Sequence, residues 1–186
     1  VPITSESAIV PGGLPLKYAL DYAVYARHKY NFTSRFSAEY GCRLSVFQNI
    51  GPATVYQYQV GVPNYLDNNY YGGRIAYSAI TGISSYGSGS IFNTSFGIEP
   101  RLNMTYLINE NSSVKASYNR TYQYMHLIQN TTFSTGQEFW TPSDQYIKPQ
   151  MADQVAVGYF RNLMENTIEV SVETYYKWMS NTVEIK

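Results

Sequence analysis

Two carboxylates, Glu169 and Glu173, lie four residues apart in a segment of alternating polarity, the nearest approach in this sequence to a catalytic acid pair. A retaining glycosidase needs two carboxyl groups only about 5 Å apart. Each step of two residues along a strand covers roughly 7 Å, so these two carboxylates are too far apart for that reaction. We expect no catalysis from them and interpret them as charges on one face of a strand.

The other residue types that could do chemistry are few and isolated. His28 and His126 are the only histidines, and no group of Cys, Asp or Glu with metal-ligand spacing surrounds either. Cys42 is the only cysteine and falls on the apolar side of an alternating segment, where we interpret it as a small hydrophobic residue. The stretch 87–89 lacks the lysine of a phosphate-binding loop, and no Gly-x-Ser-x-Gly occurs. The sequence predicts no enzyme, no metal site and no cofactor.

The composition argues against two further classes. Thirteen basic and thirteen acidic residues are scattered along 186 residues, so no basic stripe is available for a nucleic acid. No apolar run approaches twenty residues, so the sequence predicts no transmembrane helix. The chain is instead rich in tyrosine, with 20 Tyr, a residue favoured in β-strands and at membrane interfaces.

Strict period-two alternation in residues 35–46 is the clearest structural pattern in the sequence. Twelve alternating residues span roughly 40 Å as a strand, which is long for a soluble protein and close to a tilted membrane crossing. Six segments with this pattern are predicted as long strands: 16–28, 33–47, 96–107, 113–127, 152–161 and 167–179.

The connections group these strands into three hairpins. Short polar links at 29–32, 108–112 and 162–166 alternate with long links at 48–95 and 128–151. Short turns at one rim and long loops at the other are typical of bacterial outer-membrane barrels. The sequence therefore predicts an all-β fold, an antiparallel meander of about six long strands in three hairpins that forms a section of a transmembrane β-barrel.

Alternation also assigns a face to each side chain. The charged residues that we expect to face the lumen are Arg35, Glu39, Arg43, Arg101, Lys115, Glu169 and Glu173. The apolar residues that we expect to face lipid include Tyr18, Leu20, Tyr22, Val24, Phe36, Tyr40, Leu44, Ile168, Val170, Val172, Tyr176 and Trp178. A cation on the lipid side near the bilayer midplane costs about 2–4 kcal/mol, so a barrel wall needs this segregation. A soluble sheet with one solvated face gives the same alternation.

Three residues do not fit this scheme. Pro100 lies inside the third predicted strand, where it removes a ladder donor, so the strand is expected to begin there or to contain a bulge. Arg120 and His126 fall on the outward side of the fourth strand, which indicates a bulge or a chain that has left the membrane by Tyr122.

In the first long link, 53–60 and 74–80 alternate well enough to be strand extensions.

Aromatic residues in the long links are candidate contacts for a substrate. Tyr65, Tyr70, Tyr71 and Trp140 have the side chains that stack on a sugar ring or a metal chelate. Packing of the loops against one another would use the same residues.

Several stretches together resemble the barrel of TonB-dependent outer-membrane receptors, particularly the large Bacteroidetes type. They are 39–47, with the Gly-x-Arg of a family strand; 99–102, like its Pro-Arg strand start; 113–124, like its Ser-x-Tyr-x-Arg strand; 148–159; and 173–177. Gln154 replaces a Glu often present in such receptors, and the chain lacks their closing aromatic residue.

The resemblance implies that residues 1–186 form a partial β-barrel domain, without the plug domain and the final strands. It implies a location in the outer membrane of a Gram-negative cell and import of a nutrient such as a metal chelate, a cobalamin or a glycan. The implied partners are outer-membrane lipid, the plug domain and, through it, the TonB energy-coupling complex, with a surface lipoprotein as a further candidate; nucleic acid is not among them.

Two other functions remain open on the sequence. One is a soluble or surface-anchored β-domain that binds carbohydrate through its loop aromatics. The other is an unplugged porin or adhesin barrel, which differs from the importer only in having no plug.

Overall fold

A computed structural model describes residues 16–58, 80–129, 138–164 and 167–183 of the chain. These residues form ten β-strands, and none of them lies in a helix. The strands are β1 (Tyr18–Asn31), β2 (Phe36–Ile50), β3 (Ala53–Tyr58), β4 (Ile80–Tyr86), β5 (Ile91–Asn109), β6 (Ser112–Gln123), β7 (Met125–Gln129), β8 (Glu138–Pro142), β9 (Gln150–Leu163) and β10 (Ile168–Ser180).

Six of the strands form one antiparallel sheet in the order β1-β2-β5-β6-β9-β10. The predicted hairpins are therefore confirmed as β1–β2, β5–β6 and β9–β10, and the predicted all-β antiparallel fold is confirmed with them. The strands of this sheet run from 12 residues in β6 to 19 in β5, or roughly 40 to 60 Å. Within the described residues the sheet is open, with β1 and β10 as its edges.

The two long links each contain a smaller hairpin. The first holds β3 and β4, and the second holds β7 and β8. The strand predicted at 53–60 is confirmed over residues 53–58, which form β3. Residues 59–60 and 74–79 of the two predicted extensions lie outside the described residues, and Ile80 is the first residue of β4.

The fourth predicted strand, 113–127, is in fact two strands. β6 ends at Gln123, Tyr124 interrupts the ladder, and β7 begins at Met125 and pairs with β8 instead of β9. His126 has therefore left the six-stranded sheet, although the chain leaves only after Gln123, slightly later than expected.

Pro100 neither begins β5 nor creates a bulge, so both predicted explanations are wrong. β5 starts nine residues earlier at Ile91, and the β2–β5 ladder passes Pro100, opposite Cys42, without a change of register. The β5–β6 ladder, by contrast, ends one residue away at Arg101. A proline is tolerated because its missing N–H falls at the point where β6 separates from β5.

The two faces of the six-stranded sheet differ in the residues that they present. Cross-strand register places Leu44, Ile98 and Val172 on one side, the apolar face, and Ser45, Glu99 and Glu173 on the other, the polar face. The apolar face is exposed: Phe96 is 72% and Val172 69% accessible. The buried residues are mostly polar, since only Ala38, Phe47 and Tyr124 are buried hydrophobic residues among those described. The buried polar residues are Ser45, Asn49, Glu99, Ser112, His126, Thr141, Ser143 and Asp153.

Candidate functional site

The polar face brings together most of the charged residues predicted to face a lumen. In the ladders Arg43 lies opposite Glu99, and Arg101 lies opposite Gly41. Lys115 and Glu173 both lie opposite Gly158, on its two sides. The predicted residues on this face are Glu39, Arg43, Arg101, Lys115, Glu169 and Glu173, while Arg35 lies in the turn just before β2.

A buried glutamate, Glu99, is the centre of one charged cluster on this face. Its carboxylate lies 3.9 Å from Nε of Arg43 and 3.8 Å from a terminal nitrogen of Arg101. The Ser45 hydroxyl donates to the same carboxylate at 3.1 Å. Two partly exposed guanidiniums and one hydroxyl therefore compensate a charge that is almost fully removed from solvent.

Tyr124 covers this cluster from the end of β6. Its hydroxyl lies 2.7 Å from Ser45 Oγ, and because the Ser45 hydrogen is directed to Glu99, the tyrosine is the donor. The Tyr124 ring stacks on Phe47 with centroids 5.0 Å apart. The absence of a side chain at Gly97 makes this approach possible, since a Cβ there would lie 2.5 Å from Ser45 Oγ and against the Tyr124 hydroxyl.

A second buried carboxylate, Asp153, explains the outward position of Arg120. Arg120 donates from Nε at 2.8 Å and from a terminal nitrogen at 3.0 Å to the two oxygens of Asp153, directly opposite on β9. Tyr118 donates to the same carboxylate at 2.6 Å. The expectation that charge is confined to the lumen side is therefore wrong here: the register continues without a bulge, and the cation is neutralised by a cross-strand partner.

Polar contacts, one of them buried, anchor the β7–β8 hairpin. His126 Nε2 lies 2.8 Å from the Ser143 hydroxyl, and Lys17 of the chain before β1 donates to Thr141 at 2.9 Å. Burial lowers the pKa of His126, and the charge of Asp144 opposes that lowering. A histidine next to a serine resembles a nucleophile with its base, but both side chains are buried, so no substrate reaches them. We therefore interpret the contact between His126 and Ser143 as a structural one that holds the hairpin in place.

A cavity of about 270 Å³ lies between β3, the start of β1 and the turn after β8. Aromatic rings of Tyr56, Tyr58 and Tyr146 contribute to its wall. The Tyr146 hydroxyl donates to the Tyr56 carbonyl at 2.6 Å, and the ring of Tyr146 meets that of Tyr58 edge-on at 5.5 Å. This volume is slightly below the range of roughly 300–1,000 Å³ usual for ligand pockets and suits a single ring.

The aromatic residues predicted to contact a substrate are not assembled into a site by the described residues. Tyr65, Tyr70 and Tyr71 lie outside the part of the chain that the structure describes. Trp140 lies in β8 opposite Leu127 and is exposed, and it is not among the residues around the cavity.

Among the described residues no cluster of His, Cys, Asp and Glu has the arrangement of a metal site. No described segment is a helix of the length and apolarity required to cross a membrane. No protein family, no curated protein and no solved structure matches this chain.

The acidic partners in both clusters were not predicted from the sequence. Glu99 and Asp153 were not proposed as site residues, although each lies in a predicted strand. The detectable indication was Arg120, a cation on the wrong side of its strand. Once the strand order is known, the residue opposite such a cation is the first place to look for a carboxylate.

Proposed function

We propose that this chain is a section of the wall of an outer-membrane β-barrel, with its apolar face toward lipid and its polar face toward the barrel interior. The observation that carries the proposal is the exposed apolar face, which has buried polar residues behind its central strands. Phe96, Ile98 and Val172 are exposed, while Ser45 and Glu99 behind them are buried. In water this arrangement would expose a large apolar surface, whereas in a bilayer it places each face in its preferred solvent.

The open edges of the sheet support the same proposal. Every residue of β1 is exposed, as is every residue of β10 except Ser180. Unpaired edge groups in lipid cost several kcal/mol each, so a sheet of this kind has to be closed by further strands. Strands of 12 to 19 residues exceed the 9–11 that a tilted crossing needs, which leaves length to project beyond the bilayer.

An aromatic cluster at the short-turn rim also fits a membrane boundary. Tyr30 and Phe32 meet edge-on at 4.9 Å, Phe32 stacks on Phe36 at 5.3 Å, and His28 meets Tyr40 at 5.5 Å. Belts of aromatic residues occur at the interfaces of outer-membrane barrels, where the rings contact acyl chains and the polar groups contact water.

Within this class we propose an importer of the TonB-dependent type, on the resemblance of the strand sequences. The polar face would line the path or hold a plug domain, the TonB complex would supply energy through the plug, and a surface lipoprotein is a candidate partner. The cargo would be a scarce nutrient such as a metal chelate, a cobalamin or a glycan. The residues of the wall would have no catalytic role.

Fractionation of source cells tests the proposal. An antibody against this chain is used to probe soluble and outer-membrane fractions, with and without heating in detergent. We expect a band in the outer membrane, much larger than 21.2 kDa, that migrates differently after heating. A soluble band near 21.2 kDa that is indifferent to heating would reject the barrel.

The cavity between β3 and the turn after β8 favours a second candidate, a soluble or surface-anchored domain that binds carbohydrate. Tyr56, Tyr58 and Tyr146 present the aromatic surface that a sugar ring stacks on. The same fractionation separates the two candidates, because this domain would be found outside the outer membrane and would fold without lipid.

A further inference from the structure

The polar face contains a recess centred on Gly41. The β1–β2 ladder places Arg27 directly opposite Gly41, and the β2–β5 ladder places Arg101 opposite it on the other side. Arg43 lies two residues along the same strand. The recess has a volume of about 520 Å³ and three arginines in its wall.

Gly41 forms the floor of this recess because it has no side chain. A Cβ at this position would lie 2.6 Å from the carbonyl oxygen of Ala26 and 3.0 Å from Cβ of Arg27. Glycine therefore allows β1 to approach closely, and it leaves a space between Arg27 and Arg101 that any other residue would fill.

Each of the three guanidiniums lies near a carboxylate but donates no hydrogen bond to it. The Glu99 side chain is 4% exposed, while those of Arg43 and Arg101 are 40% and 54% exposed. Their separations from Glu99, 3.9 and 3.8 Å, are longer than hydrogen bonds, as is the 3.9 Å between Arg27 and Glu39. Within the described part of the chain, the guanidinium groups of these three arginines donate no hydrogen bond.

Glu99 is itself fixed from behind, by the Ser45 hydroxyl and, through it, by Tyr124. The carboxylate thus lies at ion-pair distance from Arg43 and Arg101 but accepts no hydrogen bond from either. With Glu39 and Glu99 counted against the three arginines, the recess has a net charge of +1.

We propose that this recess binds an oxyanion group, a carboxylate or a phosphate. Two neighbouring arginines with free N–H groups match such groups because the guanidinium donates two parallel hydrogen bonds to two oxygens. The source of the oxyanion depends on the proposed function. Inside a barrel it is either a dissolved anion or an acidic side chain of a segment that fills the lumen.

Calorimetric titration of the full-length protein in detergent with citrate, inorganic phosphate and uncharged sucrose tests the inference. We expect citrate or phosphate to bind, sucrose not to bind, and added salt to weaken the binding. Arg43→Gln or Arg101→Gln should each weaken binding roughly tenfold or more, because each removes a charge-assisted pair of hydrogen bonds. Arg161→Gln makes the same chemical change away from the recess and should bind as the wild type does.

Three further measurements keep the outcome interpretable. The heat-dependent migration of each variant reports whether it has folded, and Arg101→Lys, which keeps the charge but loses the two-pronged geometry, should bind more weakly than wild type. A photo-crosslinker at Asn103, beside the recess, detects a resident acidic segment. If no dissolved anion binds but Asn103 crosslinks to a peptide containing Asp or Glu, the oxyanion is internal.

Absence of both anion binding and such a crosslink would overturn the recess as an oxyanion site, as would binding that survives both arginine substitutions. These results are separate from the test of the barrel. A heat-modifiable outer-membrane protein with neither property would retain the proposed function and lose the recess. A soluble protein that binds citrate through Arg43 would retain the recess and lose the proposed function.

Discussion

The guanidinium of Arg120 meets the carboxylate of Asp153 through two hydrogen bonds, 2.8 and 3.0 Å long, across the β6–β9 ladder. Asp153 is 1% exposed. The arginine therefore supplies the counter-charge of a carboxylate that is almost fully removed from solvent, at the end of β6 that has separated from β5. The contact ties β6 to β9 where the ladder to β5 is absent.

Arg120→Leu should destabilise the folded protein by about 3–5 kcal/mol, because Asp153 then stays buried with the hydrogen bond from Tyr118 but without a counter-charge. Unfolding of the full-length protein in guanidinium chloride, followed by its heat-dependent migration and tryptophan fluorescence, measures the loss. The double variant Arg120→Leu/Asp153→Leu should recover most of it, since replacing both charges removes the unpaired one. Equal stability of wild type and the single variant would show that the pair is not buried in the folded protein.

Substitution of Gly97, with Gly87 as the control position, tests how Tyr124 packs against the sheet. A Cβ at Gly97 would lie 2.5 Å from Ser45 Oγ and 2.9 Å from the Tyr122 ring, whereas one at Gly87 would meet nothing closer than 3.9 Å. Gly97→Ala should cost about 1–3 kcal/mol through overpacking, and Gly87→Ala much less. Limited proteolysis around Tyr124 provides the readout: faster cleavage in the Gly97 variant alone is expected, and identical rates in both would mean that Tyr124 does not pack on Gly97.

Acidification should open the β7–β8 hairpin. Burial lowers the pKa of His126 below its usual value of about 6.5, so the opened hairpin binds a proton more readily than the closed one. Closure is therefore fully stabilised above about pH 6.5 and weakens as the pH falls below that value, until the pKa of the closed form is passed.

Hydrogen exchange of the amides in β7 and β8, compared at about pH 7.5 and about pH 5.5 after correction for intrinsic rates, measures this opening. The variant His126→Gln retains a partner for Ser143 and does not titrate, so its corrected exchange should be the same at both pH values. A wild-type protein that behaves like this variant would exclude His126 as the titrating group.

The main features of the fold were predictable because they depend on period-two alternation. Residues 35–46 alternate without interruption, and they lie in and just before β2. The three hairpins followed from short polar links, although the first turn lies between Asn31 and Phe36, slightly later than expected. These features are local, so a single sequence reveals them.

The breaks in the pattern were not predictable because they depend on partners far along the chain. Tyr124 continues the alternation of β6 in the sequence, yet it ends the strand by packing on Phe47, 77 residues earlier. Arg120 violated the expected facing only because Asp153 lies opposite it on β9. The recess around Gly41 likewise needs the register of three strands, which alternation within one strand does not provide.

Two neighbouring residues of β10 test which face of the sheet is turned toward lipid. The full-length protein is first freed of native cysteines, which includes the substitution Cys42→Ser. Val172→Cys and Glu173→Cys are then introduced separately, and each new cysteine is labelled with a fluorophore in reconstituted membranes. A nitroxide attached to the lipid chains should quench the label at Val172 strongly and that at Glu173 weakly, while a water-soluble quencher should show the reverse order. Equal quenching at both positions, or stronger lipid quenching at Glu173, would contradict the assignment of the apolar face to lipid.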